Sequence, residues 1–445
     1  MHTTVALALL GQLLAMGPAG VSACLTNSEL HGGQHLSRRQ IRGTPSNLTN
    51  DATIPIGKGD RFSDGAIAPI GIGSEQPSNF TTVYNTAEIA SATRALAREY
   101  NLEYFEAPHK TYHNTTMFGL KLPSSGPTTV FLEAGIHARE RGGPDHLLNF
   151  LSDLLWAERH GTGLLYGGVE YSAEDVQCAR SVGVVVLPNV NPDGIAYDHE
   201  TNSCWRKNRN PASANPDDAD SIGVDLNRNF PPAWEYEKSM APNATQGTIS
   251  NDPRTVVFRG AIPLSEPEAK NIAWTMEQMP DLKWFLDLHS IAGQMLYGSG
   301  FDTNQFKDEM MNVLNSSYNG RRGIIPDDRA KGYVYAEYYP QEEYDKSLIV
   351  AGSVADALLA SGGRPYFAQQ SAGLYPAPGG SSDLPMFRAL HNQTKHWANG
   401  FTLEFGQPNS DALCEFYPTV EMHKLNMIET GAALVAFLLS AARND

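Results

Sequence analysis

Three polar clusters in this chain of 445 residues stand at the ends of short apolar runs. G-I-H-A-R-E carries His137 and Glu140, D-L-H-S carries His289 far downstream, and T-L-E-F carries Glu404. Two imidazoles and one carboxylate make a three-ligand zinc set that leaves one position for water, which is the arrangement of a catalytic rather than a structural site. The first pair is weak alone. With 13 His and 49 acidic residues in the chain, about one His-x-x-acid match arises by chance. His31/His35 and His109/His113 are decoys with i, i+4 spacing and no strand-end context, and His146 and His199 read as surface or loop residues. The weight rests on the ensemble, because in an open α/β sheet ligands bind beyond the carboxyl ends of the strands.

The elements that must position these residues are legible in the hydrophobic periodicity. Ala87 to Tyr100 is helix-like, T-T-V-F-L-E-A (Thr128 to Ala134) is a β-rich run, and Asp145 to Glu158 places five leucines at helical spacing. Val182 to Leu187, Lys283 to Leu288 and Phe401 to Phe405 read as three more strands, and Val420 to Arg443 as a closing helix. Strands separated by helices require crossover connections. The expected fold is therefore α/β, a mixed, largely parallel twisted sheet with helices on both faces of a single catalytic domain.

Residues 1–23 read as a secretory signal peptide, with an apolar stretch Val5 to Met16, then Gly17, Pro18 and small residues up to Ala23. Sequons at Asn47, Asn79, Asn114, Asn243, Asn315 and Asn392 suit a secreted, extracellular glycoprotein. Residues 24–79 are rich in Gly, Pro, Ser and Asn and read as a linker or pro-segment, inside which Arg38 and Arg39 offer a processing protease a cutting point. The catalytic domain is expected over 80–445. A net charge of −16 argues against nucleic acid as a partner. The apolar part of the last helix, roughly Ala432 to Ala442, is read as too short to span a bilayer, so no membrane span is expected, and a monomer is. Four cysteines exclude a disulfide-dense mini-scaffold; one bridge between Cys178 and Cys204 is plausible, with Cys24 and Cys414 left over, and the pairing stays open.

From about Tyr84 onward the chain resembles the zinc metallocarboxypeptidases of the pancreatic carboxypeptidase A/B and bacterial carboxypeptidase T type. The matching blocks, in family order, are G-I-H-A-R-E, N-P-D-G, W-R-K-N-R, G-V-D-L-N-R-N, L-S-E-P-E, D-L-H-S, Y-P-A-P-G-G-S-S-D and T-L-E-F-G. The resemblance implies one zinc ion held by His137, Glu140 and His289, with Glu404 as general base. Zinc lowers the pKa of water toward about 7, and a nearby carboxylate takes the proton and later passes it to the leaving amine. It implies that Arg206 stabilises the oxyanion. It implies too that Asn227, Arg228 and a mobile Tyr375 read the free C-terminal carboxylate of a peptide or protein substrate. Asp225 would fix the tautomer of His137, and Arg139 would contact substrate further from the scissile bond.

Departures from the family pattern are expected to matter. The basic residue two positions before W-R-K is replaced, since the stretch reads N-S-C-W-R-K, and Ile291 stands where an aromatic usually follows D-L-H-S. The 60 residues between Ala23 and Tyr84 are too few and too Gly/Pro-rich for a folded inhibitory pro-domain. Ser382 falls at the floor of the side-chain pocket, where Asp would select Lys or Arg, so neutral, mainly hydrophobic C-terminal residues are expected. A catalytically silent binding protein on the same fold would be expected to lack a ligand or the base, and here all four residues are present.

Overall fold

The computed structural model describes residues 52–76, 80–392 and 394–444, together with Leu25, Glu29, Thr49 and Asn50. The signal peptide, Cys24, His31/His35, Arg38, Arg39, Asn47 and Asn79 lie outside the described residues. Eight strands form one sheet: β1 (Glu103–Glu106), β2 (Phe118–Leu122), β3 (Thr128–Ala134), β4 (Gly183–Leu187), β5 (Trp284–Ser290), β6 (Gln294–Tyr297), β7 (Phe367–Gln370) and β8 (Asn399–Phe405). Their order across the sheet is β1-β2-β4-β3-β5-β8-β6-β7. The four central strands β4, β3, β5 and β8 run parallel. The flanks mix directions, since β1 and β2 pair antiparallel, β2 meets β4 antiparallel, and β6 meets β8 antiparallel while running parallel to β7.

Alternation within each central strand supplies two cores. Val130, Leu132, Val184, Val186, Leu286 and Leu403 face one layer, while Phe131, Val185, Leu187 and Phe285 face the other. The first layer is covered by α1 (Thr86–Tyr100), α2 (Gly143–His160), α5 (Gln341–Gly362) and α6 (Val420–Arg443); α4 (Pro267–Glu277) covers the second, and α3 (Pro192–Thr201) follows β4. Covering both faces explains why β4, β5 and β8 are buried along their whole length rather than at alternate positions.

Three readings change. The whole of α6, not its apolar part alone, is long and apolar enough to cross a membrane by length and composition, and 83% of its apolar window is buried inside the protein, against α5 and the sheet. Among the described residues a disulfide joins Cys204 to Cys414, 210 positions apart, and Cys178 is free. Cys178 packs against the first core instead, whereas Cys204 stands beside Phe416 and Tyr417, next to its real partner. His146 is not a surface residue: it is 1% exposed, with its ring against Phe405 and His423.

Part of the Gly/Pro-rich stretch is laid on the body. Ile54 and Phe62 are buried, Ile56 bridges Val83, and the Gly73 N–H donates to Asp153 Oδ2 at 2.8 Å.

Candidate active site

Parallel pairing brings the ends of β3, β5 and β8 to one edge of the sheet. β5 and β8 place Glu404 directly beside His289, while the turn after Ala134 carries His137 and Glu140 to the same place. The ligand atoms of His137, Glu140 and His289 all lie within 4.8 Å of one another, and all three residues are buried. Both Nδ1 atoms face the carboxylate: His137 Nδ1 is 2.7 Å from Glu140 Oε1, and His289 Nδ1 is 3.2 Å from Glu140 Oε2.

Both Nε2 atoms face outward, each to a buried aspartate. His137 Nε2 lies 3.2 Å from Asp225 Oδ1 and His289 Nε2 lies 2.9 Å from Asp287 Oδ2. A carboxylate on the outer nitrogen fixes the tautomer, so the inner nitrogen presents its lone pair. Burial and the neighbouring Arg206 hold His137 below the usual imidazole range, in the neutral form that a metal needs. For Glu140 burial pulls the other way, but His137 and His289 hold the carboxyl well below its ordinary value. Two imidazoles and one carboxylate, converging and oriented from behind, fit zinc by donor chemistry.

Asp225 links three functions through one carboxylate. Its Oδ2 accepts from Arg206 Nε at 3.0 Å and Nη2 at 2.9 Å, its Oδ1 faces His137, and the same Oδ1 accepts the Asn227 N–H at 3.0 Å. That last bond caps the short 3-10 turn Leu226–Arg228. Burial would raise Asp225, yet Arg206 and His137 keep it well below the ordinary carboxylate range.

One pocket is lined by His137, Arg206, Asn227, Arg228, Tyr375, Ser382 and Glu404, with Leu296, Leu374, Ala377 and Thr402 as neutral wall. The loop bearing Tyr375 and Ser382 is held by close backbone approach. Gly379 sits at φ +82°, where a Cβ would come 2.6 Å from the Arg228 carbonyl oxygen, and the Phe230 N–H donates to the Gly379 carbonyl at 3.1 Å. Ser381 N–H donates to Asn227 Oδ1 at 2.8 Å, so the amide of Asn227 is oriented by the loop opposite.

Of the residues read from the sequence, Glu140, His289 and Asp225 contact His137 without lining the pocket, whereas Arg139 neither lines the pocket nor joins the His137 cluster. Its guanidinium meets Glu29 and stacks over Phe416 at 4.2 Å. His109 and His113 belong to a loop tied to α3 and α4, through Asp193 and Asn271, and not to the metal cluster. Two residues were missed. Asp287 precedes His289 by two positions on β5, and residues i and i+2 of a strand share a face, so D-L-H-S already holds that signal. Asp383 lines the pocket and is 1% exposed, with burial pushing its carboxyl up to about 7; it is the last residue of the Y-P-A-P-G-G-S-S-D block, which held that signal.

A family model described as zinc carboxypeptidase matches residues 90–427. The chain belongs to the zinc carboxypeptidase family. Members of this family use a zinc ion, and His137, Glu140 and His289 are the possible site for it here. Carboxypeptidase A4 of Mus musculus is 29% identical over 206 residues, 45% of this chain and 42% of that protein. Zinc carboxypeptidase A 1 of Anopheles gambiae is 31% identical over 229 residues, 50% of this chain and 46% of its own length. The chain spans about half the length of the curated relatives it matches. Carboxypeptidase A from Helicoverpa armigera superposes with a TM-score of 0.59 at 20% identity, covering 86% of this chain and 79% of its own. Thrombin-activatable fibrinolysis inhibitor gives the same values. At that identity the likeness shows the fold, an eight-stranded mixed sheet with helices in one domain.

Proposed function

We propose that this zinc carboxypeptidase family member is a secreted metallocarboxypeptidase that hydrolyses the C-terminal peptide bond of peptides and proteins, releasing neutral, mainly hydrophobic residues. The observation that carries the reading is that one pocket holds a carboxylate, an oxyanion donor and an amide–guanidinium pair beside a buried His-Glu-His cluster.

Zinc, when bound by His137, Glu140 and His289, supplies Lewis acidity to the attacking water and the scissile carbonyl. Glu404 is the general base: it takes the proton from water and passes it to the leaving amine nitrogen. Arg206, held by two bonds to Asp225, is preorganised to meet the negative charge that develops on the carbonyl oxygen. Asn227 and Arg228 bind the terminal carboxylate, which makes the enzyme an exopeptidase, and Tyr375 closes over the bound residue. Asp225 acts as the orienting partner of His137, and Arg139 contacts substrate upstream.

Ser382, Leu296, Leu374 and Ala377 in the pocket lining support a neutral side chain, and Asp383, which lines the same pocket, has its carboxyl pushed up to about 7 by burial. Secretion is supported by the Cys204–Cys414 disulfide, which persists in oxidising compartments, and by sequons at Asn114, Asn243 and Asn392 that stand exposed. The domain plan of signal peptide (1–23), pro-segment (24–79) and catalytic domain (80–445) belongs to the same proposal, as do a monomeric state and the absence of a membrane span.

The test is release of the C-terminal residue from blocked dipeptides ending in Phe, Leu, Lys and Glu, with and without a zinc chelator, beside C-terminally amidated controls. Chelator-sensitive release from the free acids, fastest for Phe or Leu, is expected. Equal cleavage of the amides would remove the exopeptidase reading, and a tenfold preference for Lys would remove the neutral pocket.

A further inference from the structure

Asn227 is tied to the aspartates behind both histidines of the metal cluster. Asp225 Oδ1, which faces His137 Nε2 at 3.2 Å, accepts the Asn227 backbone N–H at 3.0 Å. The second tie runs through Ser381, which is 0% exposed. Its N–H donates to Asn227 Oδ1 at 2.8 Å, and its Oγ donates to Asp287 Oδ2 at 2.9 Å, the oxygen that also faces His289 Nε2 at 2.9 Å. The bond from the Ser381 N–H fixes which end of the Asn227 amide is the oxygen, and Nδ2 then lies 3.5 Å from His289 Nε2. With the His289 proton directed to Asp287, both of these nitrogens are donors, so the amide turns its N–H to an acceptor from elsewhere. A carboxylate entering the pocket is such an acceptor. The turn Ser381–Asp383 is seated on β8, where a Cβ on Gly400 would strike the Ser382 carbonyl oxygen. Ser381 therefore has a fixed footing between the two ends it joins.

We infer that Ser381 is a positioning residue that couples the two halves of the site: a carboxylate held by Asn227 strengthens the grip of His289 on zinc, and zinc strengthens the grip on the carboxylate. The inference deepens the carboxypeptidase reading and rests on it. Such a coupling is reciprocal, since each ligand changes the affinity of the other by the same factor. Direct charge attraction between a bound zinc and a nearby carboxylate adds to it without passing through Ser381. Removing the hydroxyl alone separates the two contributions, because Ser381→Ala keeps the N–H that orients Asn227 and loses the bond to Asp287. The consequence for function is that the enzyme holds its metal most firmly while a free C-terminus occupies the pocket. An amide or an internal peptide segment lacks the carboxylate and does not engage the link.

The experiment measures the zinc affinity of the full chain by competition with a chelator, alone and with saturating 3-phenylpropanoate or 6-aminohexanoate. The neutral control is 3-phenylpropanamide. In the wild type the better-bound carboxylate is expected to tighten zinc by about tenfold, and the amide by less than about twofold. In Ser381→Ala the tightening by the carboxylate should fall to about twofold, the part owed to direct charge attraction. Ser381→Cys, which keeps the volume with a weaker donor, should behave as Ser381→Ala does. Ser381→Thr keeps the hydroxyl and should restore the wild-type value. The same tightening in the wild type and in Ser381→Ala or Ser381→Cys would overturn the inference and leave the carboxypeptidase reading in place, as would a loss that Ser381→Thr does not restore. If neither carboxylate binds the zinc-loaded wild type in calorimetry, the clamp for a terminal carboxylate is absent, and the reading falls together with the inference.

Discussion

At the residue scale, the division of labour between the metal ligands and Glu404 makes a graded prediction. Glu404 is not one of the three clustered ligands, so Glu404→Gln should retain zinc while kcat falls by about 10²–10⁴. His137→Ala should lose zinc and turnover together. Metal content and kcat measured on the same preparations check both, and near-normal turnover in Glu404→Gln would remove the assigned base. Asp287 holds the outer nitrogen of His289, Nε2 to Oδ2 at 2.9 Å, and would tune a bound metal only through that ring. Its Oδ2 also accepts from Ser381 Oγ at 2.9 Å, so one carboxylate ties β5 to the turn next to Ser382. Asp287→Asn should keep the fold and weaken zinc affinity about 10–100-fold, read by competition with a chelator. Unaltered affinity would mean that the His289 ring is held by packing alone.

At the element scale, the site depends on two loops clamped to each other beyond the strand ends. Gly379 is the contact that permits it, with positive φ and no room for a Cβ against the Arg228 carbonyl. Gly379→Ala meets both the φ penalty and the steric one. It should lower stability by about 1–3 kcal/mol and raise KM for free-acid dipeptides, because the turn carrying Asn227 and Arg228 must shift. A melt and a KM measurement on one sample decide it, and a normal KM with lowered stability would detach the loop from substrate binding. The elements themselves were legible to different degrees. β3, β4, β5 and β8 read from the sequence nearly at their observed bounds because burial on both faces concentrates apolar residues in them. β1, β2, β6 and β7 did not, since they have four or five residues each and β1 and β7 are partly or fully exposed along their length.

At the scale of the whole molecule, stability and pH are linked through buried groups away from the site. Glu337 is fully buried, accepts from Tyr335 Oη and from the Val313 N–H, and burial pushes its carboxyl up to about 8. The folded state then holds a proton that the unfolded chain releases above the ordinary carboxyl value of 4.5. Glu337 contributes its full stability below that value, and the contribution is lost as pH rises toward about 8, at about 1 kcal/mol per pH unit. Buried His423, brought down to about 4 by desolvation, works in the opposite sense and costs stability as pH falls below about 6.5. Glu337→Gln cannot titrate, so the stability of wild type relative to this variant should fall steadily from pH 5 to pH 8 in urea unfolding. A constant difference would show that Glu337 is ionised in the folded protein. The Cys204–Cys414 bridge acts on the same scale: it closes a loop of 210 positions and ties the stretch before Trp205 and Arg206 to the wall formed by Phe416 and Tyr417.

The sequence by itself named the candidates for the chemistry: His137, Glu140, His289 and Glu404 by residue type beyond the ends of apolar runs, and Asn227 and Arg228 by resemblance to the family's motif. These properties are local, so they survive without coordinates. Only the tertiary structure decided the pairings that join distant segments. Cys204 meets Cys414 rather than Cys178, Glu29 reaches Arg139 across 110 positions, and His146 is enclosed against Phe405 and His423. Such contacts depend on how helices and loops close over the sheet, and periodicity within a short window carries no record of that closure.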